Sequence, residues 1–294
     1  MSGPRFSVVV PTHQAAALIG DTLGGVLAQT LGDFEVVVVD NGSTDGTEDI
    51  VAALDDERIS YHWQEDSGLP ANSRNVGISM AEGDFVAFLD ADDSWTLGKL
   101  ERVAATLDAD PGLDVVCHDV EIVAPDGTVT GRRDYRLDDR DPYAQLLYRG
   151  NFLTTSAMTV RSNVLERHGG FSERPDWVTA EDFDLWLRIA RDGGRFALVT
   201  ETLGRYLVHP GGASANLVRH CDNTLAMLDT HYVALAAAGR LDVRAALWRR
   251  TRSRLAEVRD LSRRGEAAAA SRVLAALPAE RVAAGVRYRE AARG

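Results

Sequence analysis

Long apolar runs are missing from this 294-residue chain. None approaches the ~18 residues that a membrane-crossing helix needs. The opening MSGPRFSVVVPT has no basic stretch ahead of an apolar core, so no secretory leader is expected. Cysteine is nearly absent. Cys117 and Cys221 are too few for a disulfide framework and read as buried thiols of a protein in a reducing cytoplasm. Positive charge is scarce over most of the chain. Residues 241–294 hold 13 Arg against 6 acids, and the remaining 240 residues carry a net charge of −19. That balance excludes general electrostatic binding of nucleic acid. An anionic ligand bound there needs a local positive element: a metal ion, an arginine or a helix N-terminus. The Gly-x-Gly-x-x-Gly dinucleotide fingerprint does not follow the opening strand, and no internal repeat is found.

What is present reads as an ordinary soluble globular chain, large enough for one domain or one domain with an appendage. The first hundred residues alternate strand and helix patterns. RFSVVVP (5–11), FEVVVVD (34–40), RISYHW (58–63) and DFVAFLD (84–90) are β-branched or aromatic runs. Between them, 15–30, 44–54 and 72–83 have helical apolar spacing, cap residues or a closing glycine. This alternation predicts an open, mostly parallel sheet with helices on both faces, and ligands beyond the carboxyl ends of the strands. Further on, 113–131 predicts a strand and a hairpin turned at Pro125-Asp126-Gly127. A strand and short helix are expected over 154–171 and a helix over 179–194, with three or four helices from about 215 onward.

Four constellations carry chemistry. Asp90, Asp92 and Asp93 follow the fourth strand. Asp-X-Asp at a strand exit supplies hard oxygen ligands for Mg²⁺ or Mn²⁺, and an ion there neutralises a leaving diphosphate. The same aspartates could instead cap a helix starting near Thr96. Asp40 ends the second strand and could accept hydrogen bonds from a base or ribose, while Ser43, Thr44 and Asp45 suit helix capping. Arg74 is the one Lys or Arg between Arg58 and Lys99, suited to a phosphate or base, or else to an exposed helix face. Asp182 falls in the first turn of TAEDFDLWLRIAR, where it could act as a general base. Thr179 three residues before it is also a capping-box-like pattern, and a helix N-terminus alone would weaken the base.

Together these stretches resemble family 2 of the inverting glycosyltransferases, with the GT-A fold. SVVVPTHQAAALIGDTLGGVLAQT, FEVVVVDNGSTDGTEDIV, ANSRNVGISMAEGDFVAFLDADDSW, RHGGF and AEDFDLWLRIARDGGRF occur in the family order across about residues 6–210. The resemblance implies that Pro11, Thr12 and Asp40 line the nucleotide pocket and that Arg74 lies against the nucleotide. It also implies that Asp92 holds the metal, that Asp90 serves ribose or metal shell, and that Asp93 is an accessory ligand. Asp182 matches the catalytic base with Glu181 beside it, and His209 a position near the metal or diphosphate. His13 departs from an asparagine or tyrosine common at that position. The Gln-x-x-Arg-Trp motif of processive synthases is lacking, which argues for transfer of a single sugar. The implied donor is a nucleotide-diphosphate sugar, UDP by default with GDP and dTDP open; the acceptor is a hydroxyl in a glycan, envelope or secondary-metabolite glycoside.

The expected division is a GT-A domain over 1–213, with a nucleotide-sugar half (1–110) and an acceptor half (111–213), then a helical region over 214–294. Two other classes compete. A sugar nucleotidyltransferase would open with a basic Gly-rich loop, yet PTHQAAAL leads to no Lys or Arg before Arg58. A non-catalytic nucleotide-sugar or glycan-binding protein on the same fold would bind without turnover. The basic helical tail reads as packing on the body or as a homodimer interface ahead of membrane contact, because its arginines are scattered among alanines.

Overall fold

The structure is a computed structural model describing residues 3–137, 140–209, 212 and 216–293. Four parallel strands build its first half: β1 (Phe6–Thr12), β2 (Phe34–Asn41), β3 (Ile59–Gln64) and β4 (Phe85–Phe88). They alternate with α1 (Ile19–Leu27), α2 (Thr47–Ala52) and α3 (Pro70–Met80). The alternation predicted from sequence is therefore present. The valine runs are buried on both faces because side chains alternate along a strand. Val9, Val37, Val39, Val86 and Phe88 enter one core. Phe6, Val8, Val10, Val36, Val38 and Ala87 enter the other, against Ile19, Leu23 and Val26 of α1. Gly77 lets α3 lie directly on β1, since a Cβ there would stand 2.4 Å from Val9 Cγ1.

The second half is mixed rather than mostly parallel. It contains β5 (Ser94–Trp95), α4 (Lys99–Ala109), β6 (Val115–Val123), β7 (Val129–Arg133), α5 (Pro142–Arg149), β8 (Met158–Arg161), α6 (Ser162–His168), α7 (Glu181–Arg191) and β9 (Phe196–Leu207). The strand order is β3-β2-β1-β4-β8-β6-β9-β5, with β7 on β6. β8 runs antiparallel to both β4 and β6, while β6 and β9 are parallel. This reversal matters for the site. The turn entering β8, a 3₁₀ segment at Thr155–Ala157, arrives at the edge where β1, β2 and β4 leave the sheet.

Three helices complete the chain: α8 (Leu217–Ala237), α9 (Val243–Arg263) and α10 (Ala267–Ala291). Asn216 and Asp242 cap the first two by accepting from the N–H groups of Arg219 and Ala245. Tyr232 and Tyr288 meet edge to face at 5.6 Å and belong to the same core as Leu147 and Trp186, so the helices pack on the body. The expected boundary at 213/214 lies outside the described residues. Cys117 and Cys221 are free and buried, as expected.

Candidate active site

Asp90, Asp92 and Asp93 look alike in sequence, but the fold separates them. Asp90 accepts from Arg74 Nη2 at 2.7 Å. Asp92 Oδ2 lies 2.9 Å from His209 Nε2, because β5 pairs with β9 and brings the end of β9 beside the loop. Asp93 is only 2% exposed. Its Oδ2 accepts from Ser156 Oγ at 2.5 Å and its Oδ1 from the Leu207 N–H at 2.9 Å. Both oxygens thus hold the loop at the position where the resemblance implied an accessory metal ligand. Burial, reinforced by the charges of Asp90 and Asp92, pushes the Asp93 carboxyl well above the usual range. Burial, then the charge of Asp90, also raises Asp92, with His209 opposing. Helix capping by this cluster is not observed: α4 begins after Gly98 with no side-chain cap.

Arg74 is buried, not on an exposed helix face. Its Nη1 donates to Glu181 Oε1 at 2.8 Å and its Nη2 to Asp90, and it lies over the Phe171 ring at 5.5 Å. Burial alone would favour the neutral guanidine, but Asp90 and Glu181 outweigh it and keep the guanidinium charged. Arg74 therefore ties the β4 exit to the start of α7.

Asp182 is half-buried beside this pair. Its Oδ2 accepts from Thr155 Oγ1 at 3.0 Å and its Oδ1 from the Phe183 N–H at 2.6 Å. Burial, then the charge of Glu181, raises its carboxyl to about 6 against the lowering by Arg74, Thr155 and Phe183. This reverses the sequence expectation of a weakened base, because desolvation exceeds the helix-terminus effect. The capping-box reading also fails. The N-cap is Ala180 with no side-chain bond; Thr179 has φ +72° and its hydroxyl meets His220 Nδ1 at 2.9 Å.

At the other strand exits, Pro11 is half-buried and Thr12 is 4% exposed with no hydrogen-bond partner for its hydroxyl among the described residues. Asp40 is fully buried. Its Oδ2 accepts from the Tyr61 hydroxyl at 2.6 Å and its Oδ1 from the Ser43 N–H at 2.8 Å. In this arrangement Asp40 braces the β2 exit instead of presenting a free acceptor. The N-cap position of α2 is Gly46; of Ser43 and Asp45, the second still satisfies a helix-end donor, its Oδ1 accepting from the Thr47 N–H at 3.1 Å. Ser43 and Asp45 accept from the Gln14 and Ala16 N–H groups, joining the first two strand exits.

The edge thus collects five acids (Asp90, Asp92, Asp93, Glu181, Asp182) around one guanidinium. Among the described residues no three His, Cys, Asp or Glu converge as a metal cage. A magnesium-type ion carried on a nucleotide needs only one or two protein carboxylates, the rest coming from phosphate and water. Asp92 and His209 fit that partial set, and the surplus of carboxylates fits a cation. Burial and Asp90 disfavour a lone charge on Asp92, a cost that a cation offsets.

The glycosyl transferase family 2 model matches residues 7–169. The chain belongs to glycosyl transferase family 2. The match ends before Asp182 and His209. The chain is similar to a putative teichuronic acid biosynthesis glycosyltransferase, TuaG, of Bacillus subtilis, with 29% identity over 216 residues, 72% of this chain and 82% of that one. It spans about half the length of other curated relatives it matches. Among solved structures, S. aureus TarS 1–349 in complex with UDP-GlcNAc superposes with TM-score 0.63 at 20% identity, covering 98% of this chain and 90% of that one. The mannosyltransferase PcManGT from Pyrobaculum calidifontis, in complex with GDP-Man and Mn²⁺, superposes with TM-score 0.61 at 22% identity, covering 99% and 86%. These likenesses give this glycosyltransferase the GT-A fold. Sequence reasoning missed Tyr61, Thr155 and Ser156, the glycosyltransferase's braces for Asp40, Asp182 and Asp93. TTSA had no recognisable signal beyond three adjacent hydroxyls.

Proposed function

We propose that this family 2 enzyme is an inverting, metal-dependent transferase that moves one sugar from a nucleotide-diphosphate sugar to an acceptor hydroxyl. The observation that carries the reading is the chain Asp90–Arg74–Glu181 with Asp182 alongside, since it joins donor-side carboxylates to a base-side carboxylate. Asp182, raised to about 6, is ionised at neutral pH yet is a better proton acceptor than an ordinary aspartate. It takes the proton of the acceptor hydroxyl, whose oxygen bonds to the anomeric carbon as the bond to the diphosphate breaks. The pair of electrons leaves on the diphosphate, and the configuration inverts.

Asp92 and His209 would hold Mg²⁺ or Mn²⁺, which supplies charge neutralisation for the diphosphate when bound. Arg74 keeps Asp90 and Glu181 oriented, and Pro11 and Thr12 flank the base. Residues 1–110 form the donor half in this reading and 111–213 the acceptor half. UDP, GDP and dTDP titrated calorimetrically with and without Mn²⁺ test the donor side. Metal-dependent binding of one nucleotide, lost in Asp92→Asn, is the expected result. Binding with no turnover on any acceptor would instead make the chain a nucleotide-sugar-binding protein. Product anomeric configuration, read by NMR, tests inversion; retention would overturn it.

A further inference from the structure

The arginines of the tail look scattered in sequence, but α9 sorts them into two faces. Arg249 and Arg250 are buried at 9% exposure each. Arg250 pairs with Asp229, and Arg254 with Asp222, Glu257 and Glu280 at 2.7, 2.9 and 3.0 Å. Arg250 and Arg254 thereby fix α9 to α8, and Arg254 fixes it to α10 as well. The other four, Arg244, Arg252, Arg259 and Arg263, are exposed, although Arg252 also donates to the Arg149 carbonyl. With Trp248 and Leu255 they recur at steps of three or four residues, 244-248-252-255-259-263, which makes one continuous helical stripe. Trp248 is 60% and Leu255 44% exposed, both large apolar groups held in water. Among the described residues one acid pairs with the stripe, Asp260, which lies near Arg259 at 3.4 Å and Arg263 at 3.5 Å.

We propose that this face of α9 docks on an anionic lipid surface. A tryptophan and a leucine flanked each turn by arginine match an interfacial helix, whose rings sit at headgroup depth while the guanidinium groups meet phosphate. A second copy of the chain fits less well. Trp248 and Leu255 lie ~10 Å apart along the axis with Arg252 between them, and a stripe-to-stripe contact of two copies would set the arginines of one against those of the other. The charge of the whole molecule favours the same orientation: the body, at −19 through residue 240, is repelled by the surface that attracts the tail. No described helix is long and apolar enough to cross a membrane, so the contact is peripheral. This inference is independent of the transfer chemistry, because none of the stripe residues belongs to the active-site edge.

The test is co-sedimentation of the full chain with vesicles of phosphatidylcholine alone and of phosphatidylcholine mixed with phosphatidylglycerol. Each arginine near an anionic surface contributes about fivefold in partitioning. Binding to the mixed vesicles at low salt is expected, weakened by high salt and reduced at least ~20-fold in Arg252→Glu/Arg259→Glu. The same vesicles should shift tryptophan emission to the blue in the wild type and much less in Trp248→Leu, which keeps an apolar group there. Unchanged melting of both variants checks that they fold. Lack of binding to mixed vesicles, or binding that the double variant retains, overturns the proposal. A dimer seen by light scattering and dissolved by the double variant, with no vesicle binding, assigns the stripe to a second copy instead.

Discussion

Replacing Asp182 by Asn should make the protein more stable while removing its activity. A carboxyl held at about 6 instead of 3.8 costs the folded state up to about 3 kcal/mol once ionised, at ~1.4 kcal/mol per unit. Partial solvent access of Asp182 reduces that to about 1–2 kcal/mol. Asparagine keeps its one oxygen for the Phe183 N–H, and its amide nitrogen can donate to the Thr155 hydroxyl once that group turns to accept, so little else is lost. The sign follows from proton uptake. Between 3.8 and about 6 the folded state holds the proton more tightly than the unfolded chain, so wild-type stability falls as pH rises through that window. The advantage of Asp182→Asn is therefore absent below about pH 4, grows to about pH 6 and is constant above it. Thermal melts at intervals across that range should show the variant ~2–6 °C higher above neutrality and equal at the acid end. Turnover should fall by ~2–4 orders of magnitude if the carboxylate is the base. A melting difference that does not change with pH, or a variant less stable at neutral pH, would refute the argument that desolvation sets this carboxyl.

Thr155→Val removes a hydrogen bond that lowers Asp182, so the acid limb of kcat/KM against pH should move above about 6 with the alkaline plateau nearly kept. An unmoved limb would take Asp182 out of the base role. Ser156→Ala leaves the buried Asp93 Oδ2 without its donor and should cost about 1–3 kcal/mol in urea unfolding, raising the donor KM more than it lowers kcat. Gly77→Ala adds a Cβ 2.4 Å from Val9 Cγ1. Overpacking of about 1–3 kcal/mol should exceed the ~1 kcal/mol helix gain, so urea unfolding should show net loss.

The parallel half of the sheet was legible because Val8 to Val10 and Val36 to Val39 are runs that only a strand buried on both faces requires. The exits at Thr12, Asp40 and Asp90 then follow from parallel topology. The placement of Asp93 was not legible. Three neighbouring aspartates carry the same chemistry, and only the β5–β9 pairing decides which one turns inward toward Leu207. The direction of the Asp182 shift was hidden for a similar reason. A helix N-terminus is visible in sequence, whereas desolvation by packed neighbours is not. α5 escaped notice although Asp141 and Pro142 mark its start, because its eight residues are too few for a clear period.

The reversal of β8 explains how two distant acidic motifs come to share one support. A fourth parallel crossover here would have placed the start of β8 at the opposite edge of the sheet. Running antiparallel, β8 instead delivers Thr155 and Ser156 to the strand exits, where one holds Asp182 and the other holds Asp93 and accepts from the Asp90 N–H. Trp95 adds a further tie, donating from its indole to the Ser156 carbonyl at 2.7 Å. With Arg74 bridging the same two segments from the other side, the donor-side and base-side carboxylates are joined twice, by side chains that are almost wholly buried. Such a double tie holds the loop of Asp92 at a set distance from the start of α7, and in the proposed reaction an in-line displacement between a held diphosphate and a deprotonated hydroxyl would need that fixed spacing.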